Sequence, residues 1–134
     1  MSEKFEHVKQ IINDMDMVIV SEDAAEELVV VEDEENGIKN LFIDCEEPIV
    51  VLEQIILKVP AGDAEKHATL FRRLLQINRN LVHGAFVLDE NSEFIIFRDT
   101  LQLENLDRNE LEGSIHALSL GLSEYGSELL TYVH

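Results

Sequence analysis

The residues of this 134-residue chain whose types could do chemistry are five histidines, one cysteine and 28 carboxylates. A histidine pair could hold zinc, a thiolate could attack a carbonyl, and two carboxylates could work as acid and base. Their spacing supports none of these. His7, His67, His83, His116 and His134 are scattered, and no two stand at the i, i+4 interval of a zinc-binding helix. Cys45 with His83 would be a nucleophile and its base, but Asp44, Glu46 and Glu47 flank the thiol and raise its pKa. It reads as a buried strand thiol. Glu32-Asp33-Glu34-Glu35-Asn36-Gly37 has the composition of a cation loop without the alternating ligands and trailing bidentate Glu of a calcium site. It reads as a solvated turn, and Asp14-x-Asp16 is no more informative. The six glycines are dispersed and form no phosphate-binding loop. With carboxylates this abundant, any acid–base pair could be picked by chance. The sequence predicts no enzyme, no metal and no cofactor.

Composition narrows the partners. The net charge of −18 repels phosphate polyanions, so neither nucleic acid nor an anionic membrane is expected. A lone Cys45 allows no intramolecular disulfide and fits a reducing cytoplasm. The opening MSEKFEHVKQ carries charge throughout and lacks the apolar stretch of a signal peptide. No apolar run approaches membrane-spanning length. Residues 1–134 read as one cytoplasmic domain, 46% hydrophobic and able to build a core.

The elements follow from periodicity. From Ser2 to about Met15, Phe5, Val8, Ile12 and Met15 line one face of a helix. Met17–Val20 is too short to assign between edge strand and helix exit. Leu28–Val31 and Ile38–Cys45 are strands joined at Asn36-Gly37, the favoured two-residue hairpin turn. After Pro48 comes Ile49–Val59, where Glu53-Gln54 suggests a bulge. A helix carrying Leu70, Phe71, Leu74 and Leu75 follows, stopped by Asn78, Asn80 and Gly84. Ala85–Leu88 and Phe94–Phe97 then flank the polar tip Asp89–Glu93. Asp107 caps the last helix with Glu110 in capping-box position and Leu106 and Leu111 as a staple. Leu111, Ile115, Leu118, Leu122, Tyr125, Leu129 and Tyr132 make its apolar stripe. The predicted fold is α+β in the order α-β-β-β-α-β-β-α, an antiparallel sheet packed with helices.

Leu74, Leu75, Asn78, Gly84, Leu88, Asp89, Leu103, Leu106, Asp107, Glu110, Leu111 and Glu112 together resemble the C-terminal half of the class I type III secretion chaperones, the Tir-chaperone (CesT/SycE-like) family. The YbjN-like proteins are similar in fold and pattern. The resemblance covers about half the chain, and its motifs specify architecture rather than catalysis.

A partner is expected from the excess of apolar surface. The central helix has Leu70, Phe71, Leu74, Leu75, Ile77 and Leu81 on more than one side, wider than one sheet covers. Either a twofold dimer buries the excess or the monomer core takes it all. The dimer is expected, with Leu70, Phe71, Leu74, Ile77 and Leu81 as interface candidates, and the resemblance implies the same. It also implies a client protein segment held in extended form. Phe5, Val8, Ile12, Leu41 and Ile43 are then the candidate groove, and the client stays soluble and secretion-competent. The alternative is a YbjN-like regulatory or stress-linked module that contacts a protein and exports nothing.

Overall fold

The computed structural model describes residues 2–133. Helix α1, Glu3–Asp14, begins at Ser2, whose Oγ accepts the Phe5 N–H at 3.1 Å. Four strands follow: β1 (Val18–Asp23), β2 (Leu28–Asp33), β3 (Ile38–Glu46) and β4 (Ile49–Lys58). Then come α2 (Ala64–Asn78), β5 (Ala85–Leu88), β6 (Phe94–Gln102) and α3 (Arg108–Leu130). The six strands form one sheet in the order β1-β2-β3-β4-β6-β5, and every neighbouring pair is antiparallel. The α+β class and the order of the predicted elements are as the sequence indicated, with one strand more before α2, six in place of five. The run left open there, Met17–Val20, enters the edge strand β1. Pairing with β2 settles it, since Ile19 lies opposite Val31 and Glu22 opposite Val29. A bulge at Val20 separates those two registers.

Strand alternation sorts side chains between two faces. On the inner face Val29, Ile43 and Leu52 join α1 residues Phe5, Val8 and Ile12, α2 residues Leu70 and Leu74, and α3 residues Leu111 and Leu118 in one buried cluster. Two polar ties fix α3 over this face. Ser114 Oγ donates to Asp99 Oδ2 of β6 at 2.8 Å, and His7 Nε2 of α1 donates to the Leu106 carbonyl at 2.8 Å. At the start of α3, Asp107 accepts the Glu110 N–H at 2.9 Å, and Leu106 and Leu111 are both buried, as the staple requires.

Two local expectations are corrected. The β2–β3 connection is a short 3-10 turn, Glu34–Asn36, closed by Gly37 at φ 75°, not a two-residue hairpin turn. Asp33 pairs with Ile38, so the connecting loop is longer than Asn36-Gly37 alone, and Asn36 donates to Asp33 Oδ2 at 2.7 Å within it. The irregularity in β4 falls between Ile55 and Leu57 rather than at Glu53-Gln54. Gln54 stays in the ladder because its buried amide is satisfied. It accepts the Lys39 N–H at 3.1 Å and donates to the Gly37 carbonyl at 3.4 Å. Gly84, at φ 74°, is required twice over: a Cβ there would stand 2.5 Å from the Phe97 ring.

Candidate protein-binding surfaces

The chemical candidates resolve into structural parts. His7 holds the Leu106 carbonyl as above. His67 Nε2 donates to the Pro60 carbonyl at 2.8 Å and its ring stacks on Phe71. His83 and His116 line one shallow surface depression with Val82 and Leu120. His134 lies outside the described residues. Among the described residues no group of three or more His, Cys, Asp or Glu is arranged to hold a metal ion. Cys45 is buried, and burial first, then the charges of Glu27 and Asp44, push its thiol up to about 12. It stays protonated near neutrality, so it is no nucleophile at rest. The part played by Asp44 was readable from its position beside the thiol. That of Glu27 was not, because it arrives through the β2–β3 pairing, where Cys45 N–H donates to the Glu27 carbonyl at 2.9 Å.

The candidate groove residues are brought together, but closed. Phe5, Val8, Ile12, Leu41 and Ile43 are each no more than 1% exposed and belong to one core cluster. An amphipathic helix over a sheet buries its own stripe against it, so these five offer nothing to a partner while α1 stays docked. The interface candidates divide. Leu70, Leu74 and Ile77 are buried in the chain's own core, whereas Phe71 and Leu81 are half-buried. Beyond them Leu75 is 71% exposed on α2 and Val82, just after the helix, is 88% exposed. These two carry the outward apolar surface of that region. Arg73, between them and α3, chelates Glu128 through Nη2 to Oε1 at 2.8 Å and through Nε to Oε2, fixing α2 to the end of α3.

Two further surfaces stand out. Strand β1 ends the sheet and is exposed along nearly all its length, so one row of its backbone groups has no strand beside it. The other surface is the outer face of the sheet. Ser21, Val30, Phe42, Glu53, Arg98 and Ala85 face one another in a single row across all six strands. Around that row Val20, Val30, Phe42, Ile55 and Ile96 line an open apolar groove of about 720 Å³. At one end stand Asp44, Glu46 and Glu53, with Arg98 3.6 Å from Glu53. The Asp44 carboxyl is pushed up to about 6, by burial first and then by Glu46, Glu26 and Glu53. The outer residues escaped the sequence reading because a continuous apolar run such as Leu28–Val31 shows no alternation between a covered and an open face. Phe42, between Leu41 and Ile43, was the available signal: alternation puts it opposite two core residues.

No curated protein sequence matches the chain significantly. Among solved structures, YbjN of E. coli, a putative transcription regulator, is 15% identical, with 92% of each chain covered and a TM-score of 0.69. An uncharacterized protein from Methanothermobacter thermautotrophicus is 11% identical, covers 98% of this chain and 99% of its own, and also scores 0.69. A chain of the HopA1–SchA chaperone–effector complex is 16% identical over 89% of this chain and 91% of that one, with a TM-score of 0.59. At these identities the likeness is one of fold. The CesT_Tir_1 family model matches residues 1–134, and the chain belongs to that family.

Proposed function

We propose that this protein is a non-catalytic binding protein of the secretion-chaperone type, cytoplasmic and homodimeric, which holds an extended segment of a client effector soluble and secretion-competent. The observation that carries the reading is the free edge of β1. An unpaired strand edge takes up an extended polypeptide by main-chain hydrogen bonds, while pockets beside it accept alternate side chains. Family membership and the likeness to a chaperone–effector complex support it. The mechanism requires neither nucleotide nor metal, because burial and strand pairing supply the binding energy. Phe5, Val8, Ile12, Leu41 and Ile43 form the floor under the seam between α1 and the sheet, and hold α1 in place beside the incoming segment. Phe71 and Leu81, with Leu75 and Val82, form the dimer surface over the buried Leu70, Leu74 and Ile77.

The second reading is a YbjN-like module that binds a folded protein and exports nothing. It is favoured by the closer backbone match to YbjN. The two differ in the partner's state. Co-expression with the product of the neighbouring gene, followed by limited proteolysis and light scattering, separates them. A dimer that shields an extended client stretch from protease supports the first reading. A monomer, or a partner that stays globular on binding, removes it.

A further inference from the structure

The helix-free face of the sheet has a feature that the client-binding reading does not use. Phe42 and Ile55 are 46% and 59% exposed at the centre of an antiparallel sheet, with Val20 exposed to 46% beside them. Large apolar side chains grouped on one outer face, in a chain that is otherwise strongly acidic, mark a contact surface. The groove has a direction. Its apolar middle runs toward Asp44, Glu46 and Glu53, where Arg98 is the one cation lining that end. Lys39 lies at the other end with Asn40 and Gln54.

We infer that the outer sheet face, centred on Phe42 and Ile55, docks a cationic amphipathic segment of a partner protein, with apolar side chains over the groove and Lys or Arg against Asp44, Glu46 and Glu53. This rests on the reading of the chain as a binding protein, and adds the chemistry of the segment bound here. Charge selects the occupant. A second copy would join two chains at −18 each, and its groove would offer Lys39 and Arg98 as its cations, the latter already 3.6 Å from Glu53. A neutral apolar segment would desolvate the carboxylates without replacing their hydration. A cation beside them compensates instead. The repulsion within the cluster acts on Asp44, whose carboxyl is raised by burial first and then by Glu46, Glu26 and Glu53.

The test uses a labelled amphipathic leucine–lysine peptide and its counterpart with glutamate for each lysine, measured by fluorescence anisotropy. The lysine peptide is expected to bind and the glutamate peptide not to. Phe42→Ser with Ile55→Ser, which leaves the charge unchanged, is expected to weaken binding about tenfold or more, since both residues would be central anchors. Asp44→Asn with Glu46→Gln is expected to weaken it more than Glu34→Gln with Glu35→Gln, an equal charge change in the distant β2–β3 turn. Circular dichroism confirms folding, which exposed positions tolerate. Failure of the lysine peptide to bind overturns the proposal. So does indifference to Phe42 and Ile55, or equal loss from the two charge pairs, which would mean diffuse attraction to an anionic chain. Conversion of a dimer to a monomer by Phe42→Ser would assign the face to a second copy and equally overturn it. Each of these results leaves protease protection of an extended client intact, and only the last also moves the proposed dimer surface away from α2, so the two readings fail separately.

Discussion

The side-chain amide of Asn78 pairs with the backbone of Phe86 in both directions. Its Nδ2 donates to the Phe86 carbonyl at 3.0 Å and its Oδ1 accepts the Phe86 N–H at 2.8 Å. Asn78 ends α2 and Phe86 sits in the edge strand β5, so one side chain takes the place of a neighbouring strand there. The opposite edge, β1, has no such substitute among the described residues. One edge of the sheet is capped by α2 at Phe86, and the other is open.

Asn78→Ala should therefore destabilise the fold well beyond an ordinary surface change. It leaves the Phe86 N–H and carbonyl of a partly buried strand without partners, at about 1–3 kcal/mol for an unsatisfied group. Urea unfolding followed by circular dichroism measures it. A cost within about 0.5 kcal/mol, the range of plain surface substitutions, would mean that water replaces the amide.

Along α3, two leucines separate core from surface. Leu118 is 1% exposed and Leu120 is 65% exposed. Leu118→Ala is expected to cost roughly 2–5 kcal/mol through lost burial and the cavity left behind. Leu120→Ala should fall within about 0.5 kcal/mol in the same denaturation series. Equal costs would mean that α3 packs with a different face inward.

Asp44 gives a pH signature of defined sign. Its carboxyl is raised from 3.8 to about 6 in the folded state, so folding favours the protonated form. The associated stability is fully present below pH 3.8 and is lost as pH rises through about 6. Asp44→Asn removes the burden of the buried charge. Its melting temperature should exceed that of the parent at pH 7, with the gap closing as pH falls below about 4. Because Asp44 is only half-buried, solvent screening limits the gap to about 1 kcal/mol. A pH-independent difference would place the cause in the packing of the side chain rather than in titration.

The α2 surface yields a contrast between adjacent residues. Leu74 is 5% exposed and Leu75 is 71% exposed. Leu74→Asp places an unpaired charge in the core and should unfold the chain. Leu75→Asp should leave the melting curve of the monomer intact and abolish the proposed dimer, as read by light scattering. A folded dimer of the Leu75 variant would take α2 out of the interface.

Much of this was legible in the sequence for physical reasons that act locally. Asp107 with Leu106 and Leu111, the spacing from Leu111 through Leu129, and Asn78 with Gly84 are each signals confined to a few residues. Helix caps, stripes and left-handed turns are satisfied within such spans. The exclusion of a reactive thiol also began locally, with Asp44 beside Cys45. The surfaces were harder. Leu70, Leu74 and Ile77 were read as interface candidates because periodicity marks a residue as apolar-facing without saying what it faces. The groove candidates Phe5, Val8 and Ile12 meet Leu41 and Ile43 as inferred, but meet them inside the core.

The sequence by itself determined the order of helices and strands, the acidic character of the chain and the position of its caps, because these follow from backbone propensity, side-chain spacing and formal charge. Only the tertiary structure decided that Met17–Val20 leads into an edge strand, that Glu27 comes to lie beside Cys45, and that Ile55 joins Phe42 and Asp44 on an uncovered face. Each of these depends on strand register between segments far apart in the chain. Register is fixed by the match between the apolar faces of paired strands and the turns that join them, which no single segment carries alone.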